Sequence, residues 1–159
     1  MKQILLMRHG EAEPAGGLTD FNRKLTRSGI QQVHEVGKKL DHLSLFPQGV
    51  LVSNSVRTEE TFHILRDEFL PPIDYFRSLQ SLYLADYNAV MSELAEVPPN
   101  VDSLLLIGHN PGWSEIVQSL SGKSCMLGTS QLAVLLHSGG RDWVEAFADI
   151  GMWSFSQTL

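Results

Sequence analysis

The sequence is poor in cysteine and has no long apolar run. Cys125 is the only cysteine, so an internal disulfide cannot form, which fits a reducing compartment. The apolar run nearest the N-terminus covers residues 4–7 only. A signal peptide needs roughly 7–15 apolar residues and a membrane-spanning helix needs about 20. We therefore expect a soluble, cytoplasmic protein with no membrane partner.

Positive charge is also scarce, with 12 Lys and Arg against 18 Asp and Glu and a formal net charge of −6. Proteins that bind nucleic acid usually carry a basic surface, so we expect no nucleic-acid partner. The chain contains no Gly-rich Walker loop, which excludes a P-loop enzyme. Any anion site must then be built locally, by a few arginines within an acidic molecule.

What the sequence does contain is a regular alternation of apolar and amphipathic stretches. Its 159 residues, 43% of them hydrophobic, carry no repeat and predict a single domain over residues 1–159. The predicted strands are 2–7, 50–52, 73–76, 103–107, 131–137 and 143–149, and the predicted helices are 26–42, 55–70, 88–97 and 113–120. This alternation favours an α/β fold with a mostly parallel sheet and helices on both faces. The hairpin-like composition of residues 138–142 suggests one antiparallel strand near the end.

Basic side chains and histidines follow three of the predicted strands. The first strand runs into Arg8 and His9, the second is followed by Arg57, and the strand at 103–107 runs into His109. Ligands of parallel α/β sheets bind beyond the carboxyl ends of the strands, so these four side chains are expected to converge. Arginine matches phosphate oxygens with a planar fork, and neutral imidazole is a nucleophile at pH 7. The pattern predicts a site that binds and attacks a phosphoryl group.

Several acidic and basic residues near these motifs have more than one interpretation. Arg23 is either a supporting phosphate ligand or a solvated loop charge. Glu11 is either a proton donor or an acceptor for a backbone N–H of its own loop, and Asp20 and Asp86 are weaker candidates for proton transfer. The pair of His63 and Asp67, four residues apart, supplies only two ligands, which do not make a metal site.

Five segments resemble, in order, the motifs of the histidine phosphatase (phosphoglycerate mutase-like) superfamily. They are Leu-Leu-Met-Arg-His-Gly-Glu-Ala at 5–12, the R-x-L-T-x-x-G segment at 23–29, the S-x-x-x-R-x-x-x-T segment at 53–61, Leu-Tyr at 82–83 and Gly-His-Asn-Pro-Gly at 108–112. The last is similar to small phosphohistidine phosphatases of the SixA type. The resemblance implies a three-layer α/β/α sandwich with a mixed six-stranded sheet, and neither a metal nor a cofactor.

The resemblance also implies roles for the clustered residues. His9 would be the phosphorylated nucleophile, with Arg8, Arg57 and a protonated His109 around the phosphoryl oxygens. Many members carry an acid shortly after the third strand, whereas this chain has none at 78–83 and reaches Asp86 first. A site without that acid should favour P–N over P–O bonds.

The loops around the expected site are short, which predicts an open pocket. The resemblance implies a metal-independent phosphatase, and an open pocket suits a phosphohistidine on the surface of another protein. We therefore expect the substrate to be a phosphorylated protein, such as a histidine phosphotransfer-type domain. The alternative is a phosphatase or mutase for small phosphate esters that uses the same His9. The sequence sets no oligomeric state.

Overall fold

The computed structural model describes residues 1–159, which build one mixed six-stranded sheet covered by helices on both faces. The strands are β1 (Lys2–Arg8), β2 (Gly49–Ser53), β3 (Tyr75–Leu79), β4 (Ser103–Gly108), β5 (Leu132–His137) and β6 (Ser154–Thr158). The helices are α1 (Arg27–His42), α2 (Val56–Glu68), α3 (Tyr87–Leu94), α4 (Gly112–Ser121) and α5 (Trp143–Ala148). Two short 3₁₀ turns, Asp20–Asn22 and Gln80–Leu82, lie in the connections.

The strand order is β3-β2-β4-β1-β5-β6. β1, β2, β3 and β4 pair in parallel, while β5 is antiparallel to both of its neighbours, β1 and β6. β6 consequently runs in the same direction as β1, and β5 is the one strand that opposes the rest. The predicted α/β fold with a mixed, mostly parallel sheet is confirmed.

The central strands bury both of their faces, and alternate residues enter two separate cores. Leu5 and Met7 of β1 pack in a core with residues of α1 and α2. Ile4 and Leu6 pack in the second core with residues of α3, α4 and α5. This period-2 division of one strand between two helical layers produces the predicted three-layer α/β/α arrangement.

Helix α1 begins where the sequence places its cap. The Thr26 side chain accepts a hydrogen bond from the Gly29 N–H at 2.8 Å, and the helix runs to His42. Val33 and Leu40 are buried on its inner face, as predicted, whereas Ile30, expected on the same face, is exposed. No helix of the structure is both long enough and apolar enough to span a bilayer.

The predicted strand at 143–149 is wrong, because these residues form helix α5. Asp142 accepts a hydrogen bond from the Glu145 N–H at 2.9 Å and caps the helix. Trp143 and Phe147 are buried four residues apart, which is the spacing of one helical face. The sixth strand lies further on, at 154–158, so the hairpin predicted around 138–142 is also wrong.

Candidate active site

The histidines of the site follow two neighbouring strands at the same edge of the sheet. β1 pairs with β4 so that Arg8 lies opposite Gly108, and the His9 N–H donates to the Gly108 carbonyl at 3.2 Å. The rings of His9 and His109 have their centroids 5.3 Å apart. Arg57, from the first turn of α2, is buried with both of them. The structure therefore brings together the groups that the sequence placed at this edge.

A threonine of α2 fixes the loop that carries His9. The Gly10 N–H donates to Thr61 Oγ1 at 3.1 Å, and the Thr61 hydroxyl donates to the carbonyl of Arg57 at 2.7 Å. Gly10 has no space for a side chain, since a Cβ there would lie 2.9 Å from the carbonyl oxygen of Gly29. These two hydrogen bonds fix the position of the His9 loop relative to the first turn of α2, which carries Arg57.

The hydrogen bonds of His9 define which nitrogen can act. Its Nδ1 lies 2.6 Å from the Gly10 carbonyl, which can only accept, so Nδ1 carries the proton. Its Nε2 accepts from the Arg57 Nε–H at 3.2 Å. The free lone pair of the ring is therefore on Nε2, on the side that faces Arg57.

His109 has the opposite tautomer, with its proton on Nε2. Its Nδ1 lies 3.2 Å from Nη2 of Arg57, which can only donate, so Nδ1 is the acceptor. Its Nε2 lies 2.8 Å from Oγ of Ser53, the fully buried last residue of β2, and donates to it. A single guanidinium thus contacts one ring nitrogen of each histidine.

Both histidines are neutral at pH 7. The pKa of His9 is lowered to about 4, mainly by burial; the Gly10 hydrogen bond opposes this shift, and the positive charges of Arg57 and Arg8 add to it. Burial, His9 and Arg57 lower the pKa of His109 to about 3. Without a substrate, both ring nitrogens of His109 are matched in the neutral form, and a protonated His109 beside a bound phosphoryl group stays a prediction.

Arg8 completes the cationic floor of the site. Its Nη1 donates to the Leu127 carbonyl at 3.2 Å, while its buried Nε has no partner. Burial and the neighbouring Arg57 lower the pKa of Arg8. These groups open into a pocket of about 440 Å³ that is lined mostly by polar side chains: Arg8, His9, Glu11, Ala12, Asp20, Arg23, Arg57, Leu84, His109, Asn110 and Thr129.

Asp20 is more closely involved than the sequence indicated. Its Oδ2 accepts from Arg57 Nη2 at 3.1 Å, its Oδ1 accepts from Arg23 Nη1 at 2.9 Å, and the Tyr83 hydroxyl also donates to Oδ2. These hydrogen bonds, with Tyr83 and Arg23 contributing most, hold the pKa of Asp20 well below its usual range. An ionised carboxylate therefore orients the outer side of the Arg57 guanidinium.

The remaining candidates divide between the pocket and the surface. Glu11 lines the pocket, and its Oε1 accepts from the Thr26 hydroxyl at 3.1 Å. Arg23 also lines it, with its Nε donating to the carbonyl of Glu13 at 2.6 Å. Asp86 instead caps α3 by accepting from the Ala89 N–H at 2.9 Å, outside the pocket.

No group of three or more His, Cys, Asp and Glu side chains is arranged to hold a metal ion anywhere in residues 1–159. Asp67, the second member of the pair considered in the sequence, binds Arg66 at 2.7 Å instead.

Comparison with known proteins gives a consistent assignment. A phosphohistidine phosphatase SixA homologue of Haemophilus influenzae is 34% identical over 128 residues, which cover 76% of this chain and 77% of that protein. An uncharacterized chloroplastic protein of Arabidopsis thaliana is 28% identical over 158 residues, covering 92% and 71%. The structure of the protein histidine phosphatase SixA complexed with tungstate superposes with a TM-score of 0.81 at 26% identity, covering 99% of this chain and 96% of that one. Residues 4–106 match the family model of the histidine phosphatase superfamily (branch 1), and the chain therefore belongs to that superfamily.

Proposed function

We propose that residues 1–159 form one histidine phosphatase domain that hydrolyses phosphohistidine carried by another protein. The observation that carries the proposal is the contact between the lone pair on His9 Nε2 and the Nε–H of Arg57 at 3.2 Å, in a buried cationic pocket. A neutral imidazole held beside phosphate-binding arginines is suited to accept a phosphoryl group.

In the first step, His9 Nε2 attacks phosphorus in line with the scissile bond. A P–N bond to His9 forms while the P–N bond to the substrate imidazole breaks, and the bonding electrons leave with that imidazole, which takes a proton from solvent. Arg8 and Arg57 bind the equatorial oxygens, where charge is spread in the transition state. The Gly10 carbonyl, which accepts from Nδ1, stabilises the positive charge of the phosphorylated ring.

In the second step, a water molecule attacks the phosphoryl group on His9. The P–N bond breaks, its electrons return to Nε2, and inorganic phosphate leaves with the oxygen of the water. His109 stands beside the phosphoryl group, and a dianion in contact with it raises its pKa, because a nearby opposite charge favours the protonated ring. His109 would then acquire its proton only with the substrate bound.

The leaving group decides between phosphohistidine and phosphate esters. An alkoxide is very basic, close to water at ~15.7, and needs a proton donor in order to leave. Imidazole leaves far more readily, since its conjugate acid has a pKa of about 6.5. Asp20 is a poor donor because its arginine and tyrosine partners keep it ionised. Glu11, whose carboxylate accepts from Thr26, is the remaining candidate donor at the pocket.

The relatives support the same substrate class, since one is a SixA homologue and another is the histidine phosphatase SixA itself. We extend their activity to this chain as a proposal, with a histidine phosphotransfer-type domain as the substrate-bearing partner.

The cationic side chains of Arg8 and Arg57 supply the charge that Mg²⁺ supplies in other phosphoryl-transfer sites, so we propose activity without metal or cofactor. A cytoplasmic location stays a prediction of the sequence.

The test is a parallel comparison of kcat/KM on a phosphohistidine-bearing protein domain, free phosphohistidine and a panel of phosphate esters, with and without EDTA. We expect the order protein phosphohistidine, free phosphohistidine, nitrophenyl phosphate, sugar phosphates, and no effect of EDTA. Equal or higher rates on sugar phosphates would instead favour the small-ester phosphatase or mutase. Loss of activity in EDTA, restored by one divalent ion, would contradict the metal-independent mechanism.

A further inference from the structure

Exposed apolar side chains lie on three loops that carry or contact residues of the pocket. Leu84 lines the pocket and is 57% exposed, and Met126 is 79% exposed. The Sδ of Met126 lies 3.8 Å from Nδ2 of Asn110, another lining residue. Leu18, 55% exposed, lies two residues before Asp20 on the loop that contacts Arg57. We refer to Leu18, Leu84 and Met126 as the apolar lip.

Leu84 occupies its place in an unfavourable backbone conformation. Its φ is +51°, in the left-handed region that a bulky side chain rarely adopts. Its neighbours Leu82 and Ala85 are buried, and the Tyr83 hydroxyl is held by Asp20, so the surrounding structure fixes the strained residue. The exposed leucine side chain adds nothing to the core, and strain of this kind concentrates at sites that bind ligands.

We propose that the apolar lip docks against the protein surface that carries the phosphorylated histidine. This inference rests on the proposed function and adds the residues that recognise the partner. The occupant is a folded protein with apolar side chains next to its phosphohistidine, and the interface is small and transient.

The depth of His9 favours this contact for a protein substrate. His9 is only 7% exposed at the floor of the pocket that Leu84 lines, so a phosphoryl group has to enter this pocket to reach Nε2. A phosphohistidine on a protein surface then brings its flanking side chains onto Leu84 and Met126. Free phosphohistidine brings only its charged amino and carboxylate groups, which gain nothing from an apolar lip.

The variants Leu84→Asn and Met126→Gln test the docking role. Asparagine tolerates the left-handed conformation, and glutamine keeps the length of methionine. The measured quantity is the ratio of kcat/KM on a phosphohistidine-bearing domain to kcat/KM on free phosphohistidine. We expect each variant to lower this ratio about tenfold, as truncation of one interface anchor does, and the double variant to lower it further.

Matched controls are available among exposed apolar residues that do not line the pocket. Ile150 is 63% and Met152 is 69% exposed, in a segment whose Gly151 N–H binds the Ser119 carbonyl near the end of α4. Ile150→Asn and Met152→Gln repeat the same chemical changes there and should leave the ratio within twofold of the wild type. A third variant, Leu84→Gly, removes the side chain and relieves the strain, so it should lower the ratio while raising the melting temperature.

The outcomes separate the two proposals. If the wild type prefers the protein substrate and the lip variants change the ratio no more than the controls do, the docking inference is overturned and the proposed function stands. If the wild type has the same kcat/KM on free phosphohistidine as on the protein substrate, no protein surface is recognised, and the docking inference is overturned. If the wild type cleaves sugar phosphates faster than either, the proposed function itself is overturned.

Discussion

Arg57 donates its Nε–H to Nε2 of His9 across 3.2 Å, so the guanidinium contacts the lone pair that we propose as the nucleophile. In the proposed attack, this N–H has to turn from the ring nitrogen to a phosphoryl oxygen as the bond to phosphorus forms. The same guanidinium binds Nδ1 of His109 at 3.2 Å. The planar fork of arginine is therefore used to align two imidazoles before substrate arrives, as well as to carry charge.

We expect Arg57→Lys to lower kcat by at least about 100-fold, the order of loss seen when a transition-state donor is removed. Lysine keeps the charge but cannot reach both histidines from one planar group. Steady-state kinetics on phosphohistidine measures the effect. Arg66→Lys, on the exposed face of the same helix and paired with Asp67, is the control and should be nearly silent. Activity within a few-fold of wild type in Arg57→Lys would show that charge alone suffices.

The second prediction concerns the covalent intermediate. Rapid mixing with labelled substrate followed by denaturation should trap acid-labile phosphate on the wild-type protein, because a phosphorylated imidazole loses phosphate in acid. His9→Ala removes Nε2 and should give neither label nor turnover while the protein stays folded. His34→Ala, which removes a partly exposed histidine whose Nδ1 lies 3.1 Å from Oε2 of Glu68, should label normally. Turnover by His9→Ala at the wild-type rate would rule out His9 as the nucleophile.

Ser53 offers a test of the orientation of His109. Ser53→Ala leaves the Nε2–H of His109 buried without an acceptor, which costs about 1–3 kcal/mol, and we expect kcat to fall about tenfold or more. Ser55, two residues after the end of β2, is equally buried, but its hydroxyl binds Thr58 and neither histidine. Ser55→Ala therefore controls for loss of a buried hydroxyl. If both variants lose the same activity and the same stability, the bond to His109 has no special role.

The lowered pKa values predict an unusual pH profile. His9 stays neutral until the pH falls to about 4, because burial opposes its protonation. We therefore expect kcat/KM on nitrophenyl phosphate to show no histidine inflection near 6.5 and to fall only as the pH approaches 4. Corrections for ionisation of the substrate are obtained from its own titration. A loss of activity centred on the ordinary histidine pKa would contradict a buried, neutral nucleophile.

The same shifts link stability to pH with a definite sign. In the unfolded chain both histidines bind a proton near pH 6.5, whereas in the folded chain they do so only near 4 and 3. Between these limits the unfolded state binds more protons, so the free energy of unfolding falls as the pH falls from about 6.5 towards 4. Each histidine contributes on the order of 3 kcal/mol to this loss. Urea unfolding at several pH values measures it, and His9→Gln should reduce the slope.

Much of the site could be predicted because its main residues stand directly after strands. Arg8 is the last residue of β1, and His9 and His109 are the first residues after β1 and β4, where a strand pattern and a parallel sheet are enough to place them. The role of Asp20 could not be predicted, since it depends on a loop that meets Arg57, 37 residues away. Ser53 was visible at the start of its motif, but its contact with His109 spans 56 residues.

The wrong prediction of a strand at residues 143–149 has a local explanation. Residues 143–149 were predicted as a strand because they are apolar and follow a Gly-Gly turn. The spacing of Trp143 and Phe147, together with Asp142 as a cap, was the signal for a helix that the strand interpretation overlooked. The true last strand, Ser154–Thr158, alternates partly buried and exposed residues with few large apolar ones, so its pattern is weak.

The place of β1 in the sheet has a consequence for how activity is lost. This strand is paired along its length on both sides, with β4 and with β5, and His9 follows its last residue. Amide protons in such a central ladder exchange with solvent only through the largest openings of a protein, while loops open far more often. In a denaturant titration the chemical step should therefore persist up to the midpoint of global unfolding. Selectivity for a protein substrate, which depends on loops, should decline at lower denaturant concentrations.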